Sequence, residues 1–183
     1  MIMDFSTQVL DGDDRHAVLL PGGGYPATAP LLWYTAAALS FQGWTVHLVS
    51  WPSDVSRNVV VPIATELLDS IDGASATLLA GKSLGSLAMP LAAERGIPGI
   101  WLTPLLYEPR IADTARRLGE DHLLIGGTAD PAWDSAVAMA GTAQLLEVPN
   151  ADHALQIEGD LEATLAAITA AARAVAAFAR GLR

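Results

Sequence analysis

A serine that stands between two glycines is the first feature of this sequence that could do chemistry. Gly81, Ser83 and Gly85 follow the apolar run 77–80 in the order G-x-S-x-G, and an alanine-rich stretch comes after them. This order predicts a buried strand, a tight turn and a helix. Glycine is favoured on both sides because a Cβ atom there would clash with the neighbouring strand and helix. The serine hydroxyl would then lie at a helix N-terminus, which favours developing negative charge.

A serine nucleophile requires a histidine as base and a carboxylate that orients the histidine. Of the four histidines, we expect His153 to follow the carboxyl end of a strand, in the loop 150–154. Asp130 lies in the loop after the preceding predicted strand, within 126–131. Ligands bind at the carboxyl ends of parallel strands, so these two side chains and Ser83 would meet at one edge of the sheet.

The remaining histidines precede or lie within predicted strands, and we interpret them as structural or surface residues. They are His16, His47 and His122. Other aspartates also follow strand ends and stay open as the acid. They are Asp54, Asp134 and Asp152. Turn formation or helix capping is the commoner role of aspartate in such loops, so we favour Asp130.

Six apolar runs alternate with helical patterns along the chain. We predict strands over 17–20, 46–49, 77–80, 100–102, 123–125 and 144–148. We predict helices over 29–41, 59–71, 84–95, 111–118 and 132–140, and a last helix from Asp160 to Gly181. Continuous apolar strands are typical of a parallel sheet that helices cover on both faces. The sequence therefore predicts an α/β fold in three layers, with a six-stranded, mostly parallel sheet.

Three positions do not follow directly from this pattern. Alternating residues at Phe5, Thr7 and Val9 leave an additional edge strand open. Pro90 falls inside the predicted helix 84–95, where it removes a backbone hydrogen bond, so we expect the helix to be either short or kinked there. Lys82 is the only lysine and stands beside Ser83. A cation there would lower the serine pKa or bind an acidic substrate, but we expect its side chain to point away from the pocket and pair with an acid.

Composition limits the class of protein. The chain has 183 residues, 51% of them hydrophobic, which supports one folded domain with a substantial core. Its formal net charge of −10 argues against a nucleic-acid partner. The absence of cysteine excludes disulfides and thiol catalysis. Residues 1–15 are acidic, and charges interrupt the apolar C-terminal segment, so we expect neither a signal peptide nor a membrane span. We therefore expect a cytoplasmic protein.

The order Ser83, Asp130, His153, each after a later strand, resembles the α/β-hydrolase superfamily. The chain is most similar to its small, lidless members, the dienelactone-hydrolase-like serine esterases. The resemblance covers nearly all of residues 1–183 and implies one hydrolase domain whose first two predicted strands exchange spatial order. It implies a serine hydrolase that cleaves a small-molecule ester or thioester through an acyl-enzyme, without a cofactor or metal. It makes no statement about oligomeric state.

The resemblance also implies an oxyanion hole. One backbone N–H would come from Leu84, after the nucleophile, and the other from the glycine-rich loop that begins at Pro21. Pro21 stands where the family often has histidine, so the second donor is either Gly23 or Gly24. We expect Tyr25 and Tyr107 to contact the substrate.

Two other kinds of protein stay open. Gly22-x-Gly24-x-x-Ala27 follows a strand and precedes a helix, as in a dinucleotide-binding protein. A hydrolase-fold protein that binds a ligand without turnover is the second. The Gly-Lys-Ser that ends 76–83 does not make a phosphate-binding loop, because its first half is an apolar strand.

Overall fold

A sheet of seven strands lies at the centre of the structure, a computed structural model that describes residues 5–182. The strands are β1 (Ser6–Leu10), β2 (Arg15–Leu20), β3 (Thr45–Ser50), β4 (Ala76–Lys82), β5 (Gly99–Leu102), β6 (His122–Gly127) and β7 (Gln144–Val148). The helices are α1 (Pro30–Ser40), α2 (Val60–Ser70), α3 (Met89–Arg95), α4 (Pro109–Ala115), α5 (Ser135–Ala138) and α6 (Leu161–Gly181). We expect no signal peptide in residues 1–15, and residues 1–4 of that segment lie outside the described range.

The strand order is β1-β3-β2-β4-β5-β6-β7. All pairs from β3 to β7 are parallel, which confirms the predicted mostly parallel α/β sheet. The exchange of β2 and β3 is the one that the resemblance implies. The predicted count of six strands is one too low, because β1 adds an antiparallel edge strand to β3. Along β1, Val9 is exposed and Leu10 packs against the core, so this edge strand is only partly covered.

Both faces of the sheet are buried, so the strands are apolar on both sides. Along β2, Ala17 and Leu19 pack into the core beneath α1 and α6. Val18 and Leu20 pack into the core on the other side, beneath α2 to α5. The alternation of side chains along each strand divides the apolar residues between the two layers, which is why the runs are continuous.

Pro90 divides the helix predicted over 84–95. Residues Ser83–Ala88 form a 3₁₀ helix, and α3 starts only at Met89. Pro90 thereby falls in the first turn of α3, where its missing N–H removes no helical hydrogen bond. The helix ends at Gly96, whose φ of 63° is left-handed.

The last helix begins as predicted, since the side chain of Asp160 accepts a hydrogen bond from Ala163 N–H at 2.8 Å. Among residues 5–182, α6 is the one helix that is long and apolar enough to cross a membrane by length and composition. It packs along α1, and Ile168, Val175 and Phe178 are buried in the core. This packing accounts for one apolar face of the helix.

Two histidines lie side by side on β2 and β3. Nδ1 of His16 is 2.8 Å from Nε2 of His47, so one ring must donate a hydrogen and the other must accept it. If both rings carried a positive charge, neither of these nitrogens could accept the hydrogen bond, and two like charges would lie side by side. Burial lowers the pKa of His47 below its ordinary value of 6.5, and the neighbouring His16 lowers it further.

This pair predicts a loss of stability in acid. His47 binds a proton more readily in the unfolded chain than in the folded protein, because its pKa is lower in the folded protein. The neutral His47 side chain therefore contributes fully to stability at a pH above the unfolded pKa. That contribution is lost as the pH falls through the lower, folded pKa. We expect the Tm to fall between about pH 7.5 and pH 5, and His47→Gln to reduce the fall because glutamine does not titrate. Thermal denaturation followed by circular dichroism at both pH values measures the effect. An equal fall in both proteins would contradict it.

Candidate active site

The turn at Ser83 is held in a strained conformation by its two glycines. Ser83 has a φ of 49°, which is unfavourable for a residue with a side chain. A Cβ atom on Gly81 would lie 2.5 Å from the carbonyl oxygen of Gly85, and one on Gly85 would lie 2.4 Å from that of Leu20. Both expected clashes are therefore present, one with the helix and one with the neighbouring strand.

The side chains of Ser83, His153 and Asp130 form a hydrogen-bonded chain. Ser83 Oγ lies 2.7 Å from His153 Nε2, and His153 Nδ1 lies 2.8 Å from Asp130 Oδ2. An ionised carboxylate only accepts, so Nδ1 carries the ring hydrogen and Nε2 is free to accept from the serine hydroxyl. The structure thus brings together the three side chains singled out in the sequence.

Two loops that follow neighbouring strands hold the acid and the histidine. Asp130 follows β6 and is 4% exposed, and its second oxygen accepts the N–H of Ala132 at 2.8 Å. His153 follows β7. The loops are joined where Ala129 N–H donates to Ala151 C=O at 3.0 Å. The carboxylate is therefore fixed from both sides and keeps the imidazole turned toward Ser83.

The rival carboxylates have other partners. Asp134 accepts from the N–H groups of the first turn of α5 and caps it. Asp152 accepts from the N–H groups of Ala154 and Gln156, at 2.8 and 2.9 Å, and so stabilises its own loop. Asp54 is exposed after β3. None of these three is the carboxylate that lies against the ring of His153.

The loop after β2 provides free backbone donors beside the serine. No acceptor among the described residues takes the N–H of Gly23, Gly24 or Leu84. Gly23 lies close to Leu84, since a Cβ on Gly23 would be 3.7 Å from the side chain of that leucine. Gly24 is exposed and its Cβ position is open. Of these two glycines, Gly23 is therefore the one that lies next to Leu84.

A cleft of about 320 Å³ opens onto Ser83 and His153. It is lined by Gly22, Gly23, Gly24, Tyr25, Lys82, Ser83, Asp152, His153 and Ala154. Tyr25 lies in this wall, and its hydroxyl accepts the N–H of Leu31 at 2.9 Å. Tyr107 is 60% exposed and does not line the cleft.

The expected orientation of Lys82 is wrong. Its side chain lines the cleft, and Nζ lies 4.6 Å from the centre of the Tyr25 ring. No carboxylate of residues 5–182 lies within 4.0 Å of this ammonium group. The alternation along β4 places Lys82 on the same face as Leu78 and Ala80, and the glycine-rich loop covers it there.

Two polar side chains that sequence reasoning missed support the turn and the glycine-rich loop. The buried hydroxyl of Ser86 donates to Ser83 C=O at 2.6 Å and accepts from Leu105 N–H at 3.1 Å. The indole N–H of Trp51 donates to Gly22 C=O at 3.1 Å. Neither residue has a signal in the sequence, because each acts through a backbone group that is remote or lies across a turn.

The remaining histidines lie away from the cleft. His122 is buried against Trp101, whose indole N–H lies 3.3 Å from its Nδ1. Burial lowers the pKa of His122. Within the described part of the chain, no three side chains of His, Asp or Glu are grouped so as to hold a metal ion.

The strand order, the strained turn after β4 and the loops after β6 and β7 define the α/β-hydrolase fold. No protein-family model matches the sequence, and no curated protein matches it. Solved structures share the fold. A lidless α/β serine hydrolase from Xanthomonas campestris is 17% identical, with 97% of this chain and 88% of that chain covered and a TM-score of 0.73.

Two further structures are similar over almost their whole length. Est1E from Butyrivibrio proteoclasticus, solved with bound ferulic acid, is 16% identical, with 97% of this chain and 94% of that chain covered and a TM-score of 0.74. A dienelactone hydrolase from Anabaena variabilis is 16% identical, with coverage of 97% and 91% and a TM-score of 0.69. At these identities the comparison establishes the fold, and it confirms the predicted type of architecture.

The contacts of the glycines predict which substitutions the turn tolerates. We expect Gly81→Ala and Gly85→Ala each to lower the free energy of unfolding by about 1–3 kcal/mol or more, because the new methyl group meets backbone atoms that cannot move aside. Gly24→Ala is the matched control, since its Cβ position is open. Urea denaturation of the three variants measures the difference. Equal stability of all three would contradict this account of the turn.

Proposed function

We propose that this protein is a serine hydrolase that cleaves a carboxylic ester or thioester through an acyl-enzyme. The observation that carries the proposal is the pair of hydrogen bonds that join Ser83 to His153 and His153 to Asp130, at 2.7 and 2.8 Å. The names of the solved hydrolases that share the fold support it.

In the first half of the reaction, Ser83 Oγ attacks the carbonyl carbon of the substrate while His153 Nε2 takes the hydroxyl proton. Asp130 stabilises the imidazolium that forms and keeps the ring in place. The N–H groups of Leu84 and Gly23 donate to the developing oxyanion. The intermediate then collapses, His153 returns the proton to the leaving alcohol or thiol, and the acyl group stays on Ser83.

In the second half, water takes the place of the leaving group. His153 removes a proton from the water, and the hydroxide attacks the acyl carbonyl. The bond to Ser83 Oγ breaks, Oγ recovers its proton from His153, and the carboxylic acid leaves. The same donors stabilise both tetrahedral intermediates, so a single set of groups serves both halves.

The cleft is open to solvent because little chain lies above it. Residues 103–121 join β5 to β6 and contain one helix, α4, of seven residues. No lid domain is present in residues 5–182. The open cleft of about 320 Å³ fits the acyl part of a small substrate.

Dinucleotide binding at Gly22–Gly24 is less well supported by the local geometry. A pyrophosphate in such a site rests on a helix N-terminus directly after the glycines. Here α1 starts only at Pro30, and the carbonyl of Gly22 and the hydroxyl of Tyr25 are engaged in holding the loop. The glycine-rich loop is better suited to bring N–H donors close to Ser83.

Covalent labelling tests the nucleophile. A fluorophosphonate probe reacts with an activated serine and not with an ordinary one, so we expect it to label the wild-type protein at Ser83. Ser83→Ala should abolish labelling. Ser70→Ala is the matched control, because Ser70 is an exposed serine at the end of α2 and should leave labelling unchanged. Absence of wild-type labelling, or label on the Ser83→Ala variant, would contradict the proposed mechanism.

The assignment of the acid has its own test. Asp130→Asn keeps the shape of the side chain but favours the wrong imidazole tautomer, so we expect kcat for a simple ester to fall about 10³- to 10⁴-fold. Asp134→Asn should leave kcat within about twofold, because asparagine caps a helix as well as aspartate does. Steady-state kinetics of the two purified variants measures the change in kcat. Equal losses in both would assign the effect to folding rather than to the carboxylate beside His153.

A further inference from the structure

Lys82 combines burial, a missing counterion and a place in the cleft wall. It is 2% exposed, and no hydrogen bond or ion pair within residues 5–182 engages its ammonium group. Its close polar contact is the face of the Tyr25 ring, at 4.6 Å from Nζ. A buried charge without a partner is costly, and a cation–π contact offsets only part of that cost. An anion supplied from the cleft would complete the site.

The two neighbouring carboxylates are already engaged elsewhere. Asp130 accepts from His153 and from Ala132 N–H. Asp152 is exposed to solvent and accepts two backbone N–H groups of its own loop. Both attract Lys82 through space, but neither reaches it as an ion pair. The ammonium group is therefore the unsatisfied cation of the cleft.

We propose that Lys82 binds a carboxylate of the substrate, so that the preferred substrate is an ester or thioester that also carries a negative charge. The inference rests on the proposed function, and it specifies the substrate class. Lys82 and Ser83 both line the same cleft of about 320 Å³, so the charged group and the scissile carbonyl must fit together within this small volume. Half-esters of short dicarboxylic acids meet that limit.

Removal of the positive charge of Lys82 should change the selectivity between anionic and neutral esters. Monoethyl malonate, succinate and glutarate are the anionic probes, and the matching ester amides are their neutral isosteres. We expect wild type to hydrolyse at least one anionic ester with a kcat/KM about 10- to 100-fold above that of its amide, since an ion pair in a partly buried site is strong. Lys82→Met should lower this ratio by the same factor, and Lys82→Arg should restore part of it.

A matched control separates local from long-range charge. Arg117→Met also removes one positive charge, but Arg117 follows α4 and precedes β6, at the opposite edge of the sheet from Ser83. It should leave the ratio unchanged. A preference that persists in Lys82→Met, equal losses for charged and neutral esters, or no preference in wild type for any of the three pairs would overturn the inference.

The pH dependence gives a second readout. Burial lowers the pKa of Lys82 to about 8, against the opposing attraction of Asp130 and Asp152. The preference for the anionic ester should therefore decline as the pH rises through that value in wild type. A pH effect on the chemical step that both esters share cancels in the ratio. Tyr25 stays neutral over this range because burial raises its pKa.

Binding without turnover distinguishes failure of the inference from failure of the proposed function. Calorimetric titration of Ser83→Ala with the three half-esters should give binding that is lost in the Ser83→Ala, Lys82→Met double variant. If wild type hydrolyses no ester but this Lys82-dependent binding is present, the proposed function fails and the anion site stands. If esters are hydrolysed without any charge preference, the proposed function stands and the anion site fails.

Discussion

The close approach of two backbone segments at Gly81 and Gly85 is the constraint on which the site depends. Neither position leaves space for a Cβ atom, and glycine occupies both. The chain can therefore leave β4, pass through a left-handed residue at Ser83 and enter the next helix within a few residues. The strain at Ser83 is held by packing of Gly85 on Leu20 and by the hydroxyl of Ser86. In this conformation the hydroxyl of Ser83 points toward His153 in the loop after β7.

The parallel sheet brings together residues that are far apart in the sequence. Ser83 and His153 are separated by 70 positions, yet both follow the carboxyl ends of strands in the same sheet. The strand order places β6 and β7 side by side, so a backbone hydrogen bond joins the loops that hold Asp130 and His153. This architecture places the side chains of Ser83, His153 and Asp130 within hydrogen-bond distance of one another at the end of a rigid sheet.

The glycine-rich loop after β2 contacts both Leu84 and Lys82. One of its sides presents N–H groups next to Leu84, and the other covers the side chain of Lys82. Trp51 and Tyr25 hold the loop in place through hydrogen bonds to backbone groups. The same few residues thus leave backbone N–H groups without an acceptor among residues 5–182 and bury the ammonium group of Lys82.

The sequence by itself determined the local features. The apolar runs, the glycines that flank Ser83 and the cap at Asp160 reflect short-range sterics and hydrogen bonds, so the parallel sheet and most helices were predictable from them. The order of Ser83, Asp130 and His153 indicated one edge of the sheet, although their roles in catalysis stay predictions. The sequence left the edge strand β1 open and marked Pro90 as a break in the helical pattern, and the structure settled both. Tertiary structure alone decided the part of Ser86 and the orientation of Lys82. Both depend on which remote backbone or side chain comes into contact, and such contacts leave no periodic pattern in the sequence.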